Sequence, residues 1–213
     1  SRFKPQELSC LSWALAASSV ACPKLSLAIA EESGRKLQHF KAQELSNLAW
    51  AFAKLHVSDP VFFGRVAQVA GPRLGDFKPQ ELSSLVWALA AASTRHPDFL
   101  PIVLRTSAAR LAAFTPQGIS NMAFALAKMD AGDESFFRAM AAEAAEKLRD
   151  FKPQELSNLG WAFAKADVSE PTLFRNLAKQ AHSGLASFAP QGLSNLALSF
   201  AKLHVADEEL FHA

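Results

Sequence analysis

Residues 40–63 read FKAQELSNLAWAFAKLHVSDPVFF, and residues 151–174 read FKPQELSNLGWAFAKADVSEPTLF. In both directions from these stretches, a Phe followed three residues later by a Gln recurs every 37 residues without insertion. The repeats begin at Phe3, Phe40, Phe77, Phe114, Phe151 and Phe188, and the sixth is incomplete at residue 213. A fixed period of this length is typical of proteins that stack one supersecondary unit on the next.

Each repeat is predicted to form two helices. Pro at the third position of a repeat suits the first turn of a helix, where its missing N–H is not needed; it occurs at Pro5, Pro79, Pro116, Pro153 and Pro190. The first helix should run for roughly 14 residues, and its apolar residues Leu45, Leu48 and Phe52 fall on one face. A second helix of roughly 14 to 16 residues should begin at an acidic residue and end on a recurring Leu. The acidic residues are Asp59, Glu170 and Asp207, and the Leu positions are Leu37, Leu74, Leu111, Leu148 and Leu185.

The predicted fold class is all-α. One helical hairpin cannot bury its apolar face alone, so neighbouring hairpins must stack on it. We therefore expect an α-solenoid, a right-handed superhelix of 37-residue helix-turn-helix repeats with the first helices on its concave side. Residues 1–213 should form a single repeat array and a segment of a longer protein.

Composition and motifs exclude several classes of function. Half of the residues are apolar, one fifth are charged, and the net charge is +2. No apolar run approaches the roughly 18 residues of a membrane-spanning helix. Two cysteines do not make a disulfide framework and fit a reducing compartment. No catalytic motif, metal-ligand spacing or phosphate-binding loop is present, so we expect no enzyme activity, no metal and no cofactor.

A polar stripe recurs along the first helices. Its invariant members are a Gln (Gln6, Gln43, Gln80, Gln117, Gln154 and Gln191) and, three residues later, a Ser. The next position varies between Cys10, Asn47, Ser84, Asn121, Asn158 and Asn195, and a Trp follows in four repeats (Trp13, Trp50, Trp87 and Trp161). At 100° per residue, Gln43, Ser46, Asn47, Trp50 and Lys54 share one sector opposite Leu45 and Phe52.

Two interpretations of the stripe remain open. Gln and Ser can hydrogen-bond between neighbouring helices as a polar ladder, with the Trp packed in the core. Alternatively, amides can pair with base edges and aromatic rings can stack on bases of an extended RNA. Because a residue identical in every repeat cannot discriminate among bases, the varying position is the better candidate for selectivity.

The charge distribution favours a polyanion. Eight Lys against four Glu fall in the first sixteen positions of the repeats, while the remaining acids lie in the links and second helices. One lysine row ends the first helices, at Lys54, Lys128, Lys165 and Lys202. Such a row can follow a phosphate backbone, or it can complement the helix dipole. A second basic row, at the ends of the second helices, has the same alternative explanation: Lys36, Arg73, Arg110 and Lys147.

The PQELSN core and the 37-residue period resemble the heptatricopeptide repeats of apicomplexans and related algae, and the slightly longer octotricopeptide repeats of green algae. The resemblance covers Phe3 to Phe211. It implies a helical-hairpin solenoid that binds organellar RNA in a mitochondrion or plastid, supporting RNA processing, stability or translation, or joining an organellar ribosome. Many members of those families end in a RAP domain, and nothing in this chain matches one.

The sequence thus predicts a non-catalytic RNA-binding repeat protein, with single-stranded or ribosomal RNA as its partner. The alternative is a protein–protein scaffold in an organellar ribosome or another large complex. RNA binding should require the lysines and weaken steeply with salt, whereas a peptide groove should depend on apolar surface.

Overall fold

The computed structural model describes residues 3–18, 22–57, 59–94 and 96–205. These residues form eleven α-helices and no β-strand. The chain divides into two compact units, Ser1–Ser107 and Ala108–Ala213. The first unit holds α1 (Pro5–Ala17), α2 (Pro23–Gly34), α3 (Ala42–Lys54), α4 (Pro60–Ala70), α5 (Pro79–Ala91) and α6 (Phe99–Ala108), which ends at the boundary. The second unit holds α7 (Pro116–Lys128), α8 (Glu134–Lys147), α9 (Pro153–Ala166), α10 (Pro171–His182) and α11 (Pro190–Lys202).

The helices stack in sequence order within each unit. First helices pack on first helices, α1 on α3 and α3 on α5 in the first unit, and α7 on α9 and α9 on α11 in the second. Second helices also meet, as α2 on α4 and α8 on α10. The predicted all-α helical solenoid is confirmed by this packing.

The first helices begin where the sequence predicts. Pro stands at the first helical position of α5 and α9. The Glu three residues after the N-cap Lys caps the N-terminus of each of these helices by accepting a hydrogen bond from the backbone N–H of that Lys. The carboxylates of Glu44 and Glu81 each accept a hydrogen bond of 2.9 Å from the backbone N–H of Lys41 and Lys78. A carboxylate here satisfies a free N–H and complements the helix dipole.

Four of the five second helices are shorter than predicted, with ten to twelve residues, whereas α8 has the predicted fourteen. All five end before the recurring Leu, which lies in a 3₁₀ segment and begins it in every repeat except the second, where the segment begins at Gly71. The turn delivers the Phe of the next repeat into the core in an extended conformation, as Phe40 shows at 1% exposed. Asp59 does cap its helix, accepting from the N–H of Phe62 at 3.0 Å, whereas Glu170 makes no side-chain cap. The predicted start at Asp207 lies outside the described residues.

The first helices from α3 onward end on a left-handed residue that is not glycine. The φ values lie between 49° and 58° at His56, Ser93, Asp130, Asp167 and His204. The next N–H then reaches back five residues to a helix carbonyl, as Val57 does to Phe52 at 3.0 Å and Val168 to Phe163 at 3.0 Å. This is the Schellman arrangement, which satisfies the last helix carbonyls and fixes the exit of the chain.

Pairs of buried aromatic rings pack first helices against second helices. Phe52 of α3 meets Phe62 of α4 edge-on, with ring centroids 5.1 Å apart. Phe163 of α9 makes the same contact with Phe137 of α8, which precedes it in the chain. Because these rings are 5% exposed or less, α3 and α9 are held in a fixed orientation, and so are their polar stripes.

Candidate functional site

The invariant Gln is the second residue of each first helix, and it is exposed in all six repeats. The side-chain amides of this row make no hydrogen bond to the protein in the described part of the chain. The Gln side chains therefore take no part in an interhelical ladder. They present one donor group and one acceptor each to whatever lies outside.

The invariant Ser is structural. It is at most 2% exposed in the first five repeats, between neighbouring first helices. The hydroxyl of Ser46 on α3 donates to the backbone carbonyl of Glu81 on α5 at 2.8 Å. The Ser83 and Ser157 hydroxyls bond to carbonyls of their own helices instead. The polar-ladder interpretation is thus confirmed for Ser46, and the Ser side chains of the first five repeats are buried by packing, whereas Ser194 is exposed.

The varying position lies between these extremes. Its side chains are half-buried at Asn47, Ser84, Asn121, Asn158 and Asn195, and Cys10 is exposed. The four Asn amides have no hydrogen-bond partner within the described residues. Because a half-buried amide without a partner leaves hydrogen-bonding capacity unused, this row is open to a ligand.

The Trp side chains are neither fully buried in the core nor fully exposed as stacking surfaces. Trp50, Trp87 and Trp161 are half-buried, while Trp13 is 50% exposed. In the fourth repeat Phe124 replaces the Trp and packs on Trp161 of the next repeat, with ring centroids 4.8 Å apart. Aromatic surface thus continues from one first helix to the next in the second unit.

A groove of about 600 Å³ brings the predicted amides together in the second unit. It opens between the N-terminal halves of α9 and α11, and four amides line it: Gln154, Asn158, Gln191 and Asn195. Phe124 supplies ring surface and Lys152 an ammonium group. The volume falls within the range of roughly 300–1,000 Å³ that is usual for small-ligand sites.

The lysines predicted to follow phosphates lie at the other end of the first helices. Lys54, Lys128, Lys165 and Lys202 are all exposed. Lys165 bonds to the Asp130 carboxylate of the preceding repeat at 2.7 Å, and Lys128 is also engaged by a neighbour. Eleven residues separate Gln154 from Lys165, which is about 16 Å along a helix. This row and the amide groove therefore cannot meet the same nucleotide.

A different lysine row lies beside the amides. The N-cap lysines Lys4, Lys41, Lys78 and Lys152 stand two residues before the Gln, and all are exposed. Their ammonium groups have no ion-pair partner in the described part of the chain. These lysines belong to the excess positive charge of the first helices, but they are not among the residues predicted to bind RNA. Their constant spacing of two residues from the invariant Gln is the sequence feature that could have placed them at the site.

The second basic row holds each repeat together. Arg73 donates to the carbonyl of Phe40 at 3.2 Å, and Lys147 donates to the carbonyl of Phe114 at 2.8 Å. Lys36 makes the equivalent bond to Phe3 at 2.9 Å. These cations tie the end of a repeat to its own start.

Two groups with a shifted pKa lie at the start of α8, away from the groove. Hydrogen bonds from the Ser135 hydroxyl and the Phe136 N–H lower the pKa of Asp133, and the Glu134 carboxylate raises that of Arg138. No group of three or more His, Cys, Asp or Glu within the described residues could hold a metal ion. In the same part of the chain, every helix is too short or too polar to cross a bilayer.

Comparison with known proteins identifies one family. Residues 4–213 match the family described as RNA-editing substrate-binding complex 6 protein. A comparison with curated proteins finds no significant match. The match covers nearly the whole chain and agrees with the coarser part of the sequence resemblance, an RNA-related helical-repeat protein. The chain therefore belongs to the RNA-editing substrate-binding complex 6 protein family.

Proposed function

We propose that this chain is a non-catalytic RNA-binding repeat protein of an RNA-editing complex, and that it acts on organellar RNA in a mitochondrion or plastid. The family description names RNA-editing substrates, and a substrate-binding role needs no catalytic group. The repeats are proposed to be of the heptatricopeptide or octotricopeptide kind.

One observation carries the proposal. The Gln and Asn amides recur at fixed positions on successive first helices, face outward or into a groove, and have no hydrogen-bond partner among the residues that the structure describes. Unpaired amides beside aromatic surface match what single-stranded RNA offers, namely exposed base edges and base faces. The N-cap lysines supply the positive charge that phosphates need at the same end of the helices.

Two lysine rows compete for the phosphates. The N-cap row lies next to the amides, and Lys152 lines the groove itself. The C-terminal row of the sequence prediction (Lys54, Lys128, Lys165 and Lys202) is a second track, about 16 Å further along each helix. We propose that the strand that meets the amides uses the N-cap row.

The test is fluorescence anisotropy of labelled single-stranded RNA, duplex RNA and single-stranded DNA across a salt series. The expected result is binding that prefers single-stranded RNA and weakens steeply with salt, because phosphate contacts release counterions. Absence of binding at low salt would refute the proposal.

A protein scaffold in an organellar ribosome or another complex is the second candidate. Exposed apolar side chains on second helices favour it: Leu27 on α2 is 56% exposed and Val61 on α4 is 72% exposed. Leu27 also lines a cleft of about 260 Å³ with Leu55 and Val57. Under this alternative, Leu27→Asp with Val61→Asp should abolish co-purification of partner proteins and leave RNA binding unchanged.

A further inference from the structure

The groove between α9 and α11 lies where the sixth repeat departs from the pattern of most other repeats. At the N-cap and third helical positions, the second, third and fifth repeats carry Lys and Glu, whereas the sixth carries Ala189 and Gly192. Both residues line the groove. A Cβ at residue 192 would lie 2.9 Å from the Ser157 hydroxyl, which is too close, so the Ser157 side chain would have to turn away to admit a side chain here. The missing Lys and Glu side chains therefore leave the space open.

The chemistry of the lining selects the ligand. Four amides without protein partners offer donors and acceptors side by side, and Phe124 offers ring surface that already packs on Trp161. A nucleobase is a flat aromatic group with donors and acceptors on its edges, so it satisfies both features at once. Lys152 stands at the rim, where the phosphate of the same nucleotide would lie.

We propose that this groove is a base-binding pocket that takes one unstacked adenine of a single-stranded RNA. The inference rests on the proposed function and assigns it one specific contact. Adenine is favoured over uracil because its two-ring system stacks on more of the Phe124 ring, while an amide can still pair with its adjacent N6 donor and N7 acceptor. Asn158 and Asn195 are the specificity-determining amides, since they are half-buried and belong to the varying row.

The test compares two labelled RNAs, a uridine tract and the same tract with one central adenine, against the wild-type chain and Gly192→Glu. The variant introduces the residue that four of the other repeats carry and places a side chain in the groove. It should fold, because Glu81 occupies the equivalent position opposite Ser46, whose hydroxyl turns to the Glu81 carbonyl. Asn195→Ala is a second variant that removes an amide without filling space. Asn176→Ala, which removes a half-buried amide on the second helix α10 outside the amide rows, is the matched control.

The wild-type chain should bind the adenine-containing RNA about tenfold more tightly than the uridine tract. Gly192→Glu and Asn195→Ala should lose that preference and keep the affinity for the uridine tract, while Asn176→Ala keeps both. Equal binding of both RNAs by the wild type, or a preference that survives Gly192→Glu, would overturn the pocket and leave the RNA-binding function standing. Failure of both RNAs to bind at low salt would remove the function and the pocket together. Adenosine monophosphate that binds as tightly as the RNA would assign the pocket to a free nucleotide and overturn the RNA assignment.

Discussion

Replacement of the N-cap lysines of the first unit by threonine should weaken RNA binding without unfolding the protein. The triple variant is Lys4→Thr, Lys41→Thr and Lys78→Thr. Threonine already occupies the equivalent position in the fourth repeat, where the Thr115 hydroxyl accepts from the N–H of Gly118 at 3.2 Å. Since the Glu three residues later is retained, each introduced Thr completes a capping box with it, and the thermal midpoint of unfolding should stay level or rise.

The size of the effect follows from the number of phosphates released. Each lysine that neutralises one phosphate of a single strand contributes about 0.7 to the slope of log affinity against log salt. Three lysines therefore contribute about 2. Between 50 and 200 mM salt, the wild type should lose about 20-fold more affinity than the triple variant.

The assay is anisotropy of a labelled single-stranded RNA at four or more salt concentrations. The matched control is a triple variant of exposed cations on second helices of the same unit, which lowers the net charge equally: Lys24→Thr, Arg65→Thr and Arg105→Thr. Its salt slope should equal that of the wild type. If the two triple variants show the same slope, binding depends on net charge alone, and the assignment of the N-cap row is refuted.

Three further predictions concern the second lysine row and the stability of the fold. Charge reversal of the C-terminal lysine row (Lys54, Lys128, Lys165 and Lys202) should leave the preference for the adenine-containing RNA intact, measured by comparing the two RNAs. Loss of all RNA binding in this variant would show that the C-terminal row is the main phosphate-binding row. Phe163→Ala should lower the free energy of unfolding by about 3–5 kcal/mol in urea melts, because the ring is fully buried against Phe137. Asp133 stabilises α8 as a carboxylate, and its pKa is lowered in the folded state. Its stabilisation of the fold is therefore fully present above the ordinary Asp pKa of 3.8 and is lost as pH falls through the lower pKa of the folded state. Melts of wild type and Asp133→Asn should therefore differ at neutral pH and converge in acid.

The repeat period and the helix starts could be predicted because they are written in residue identity. Pro and Glu act locally, on N–H groups within one turn, so their effect does not depend on the rest of the fold. The left-handed helix ends could not be predicted in this way. His56, Ser93 and Asp130 share no glycine and no common side chain. The conformation is imposed by the Schellman bonds and by the burial of the flanking core residues, which are tertiary effects.

The polar stripe likewise has a part that the sequence predicts and a part that depends on tertiary packing. The helical period places Gln43, Ser46 and Asn47 in one sector, but it does not show where the neighbouring first helix covers that sector. Packing of α3 on α5 buries Ser46 and leaves Gln43 exposed, with Asn47 between them. Exposure along a stripe is therefore set by the contact between repeats, which a single helical wheel does not contain.

Departures from the repeat pattern bear more directly on function than its invariant residues do. The invariant Ser serves packing, and the invariant Gln presents the same amide in every repeat, so neither can distinguish one base from another. Gly192 differs from its equivalents in most other repeats, and its lack of a side chain leaves space where Asn158 and Asn195 can reach a ligand. Gly118 makes the same exchange in the fourth repeat, paired with Thr115 in place of Lys. At both positions the chain lacks the carboxylate that caps the first helix in the other repeats. If the repeats bind RNA, the base-binding site that Gly192 leaves open explains why the sixth repeat lacks this carboxylate.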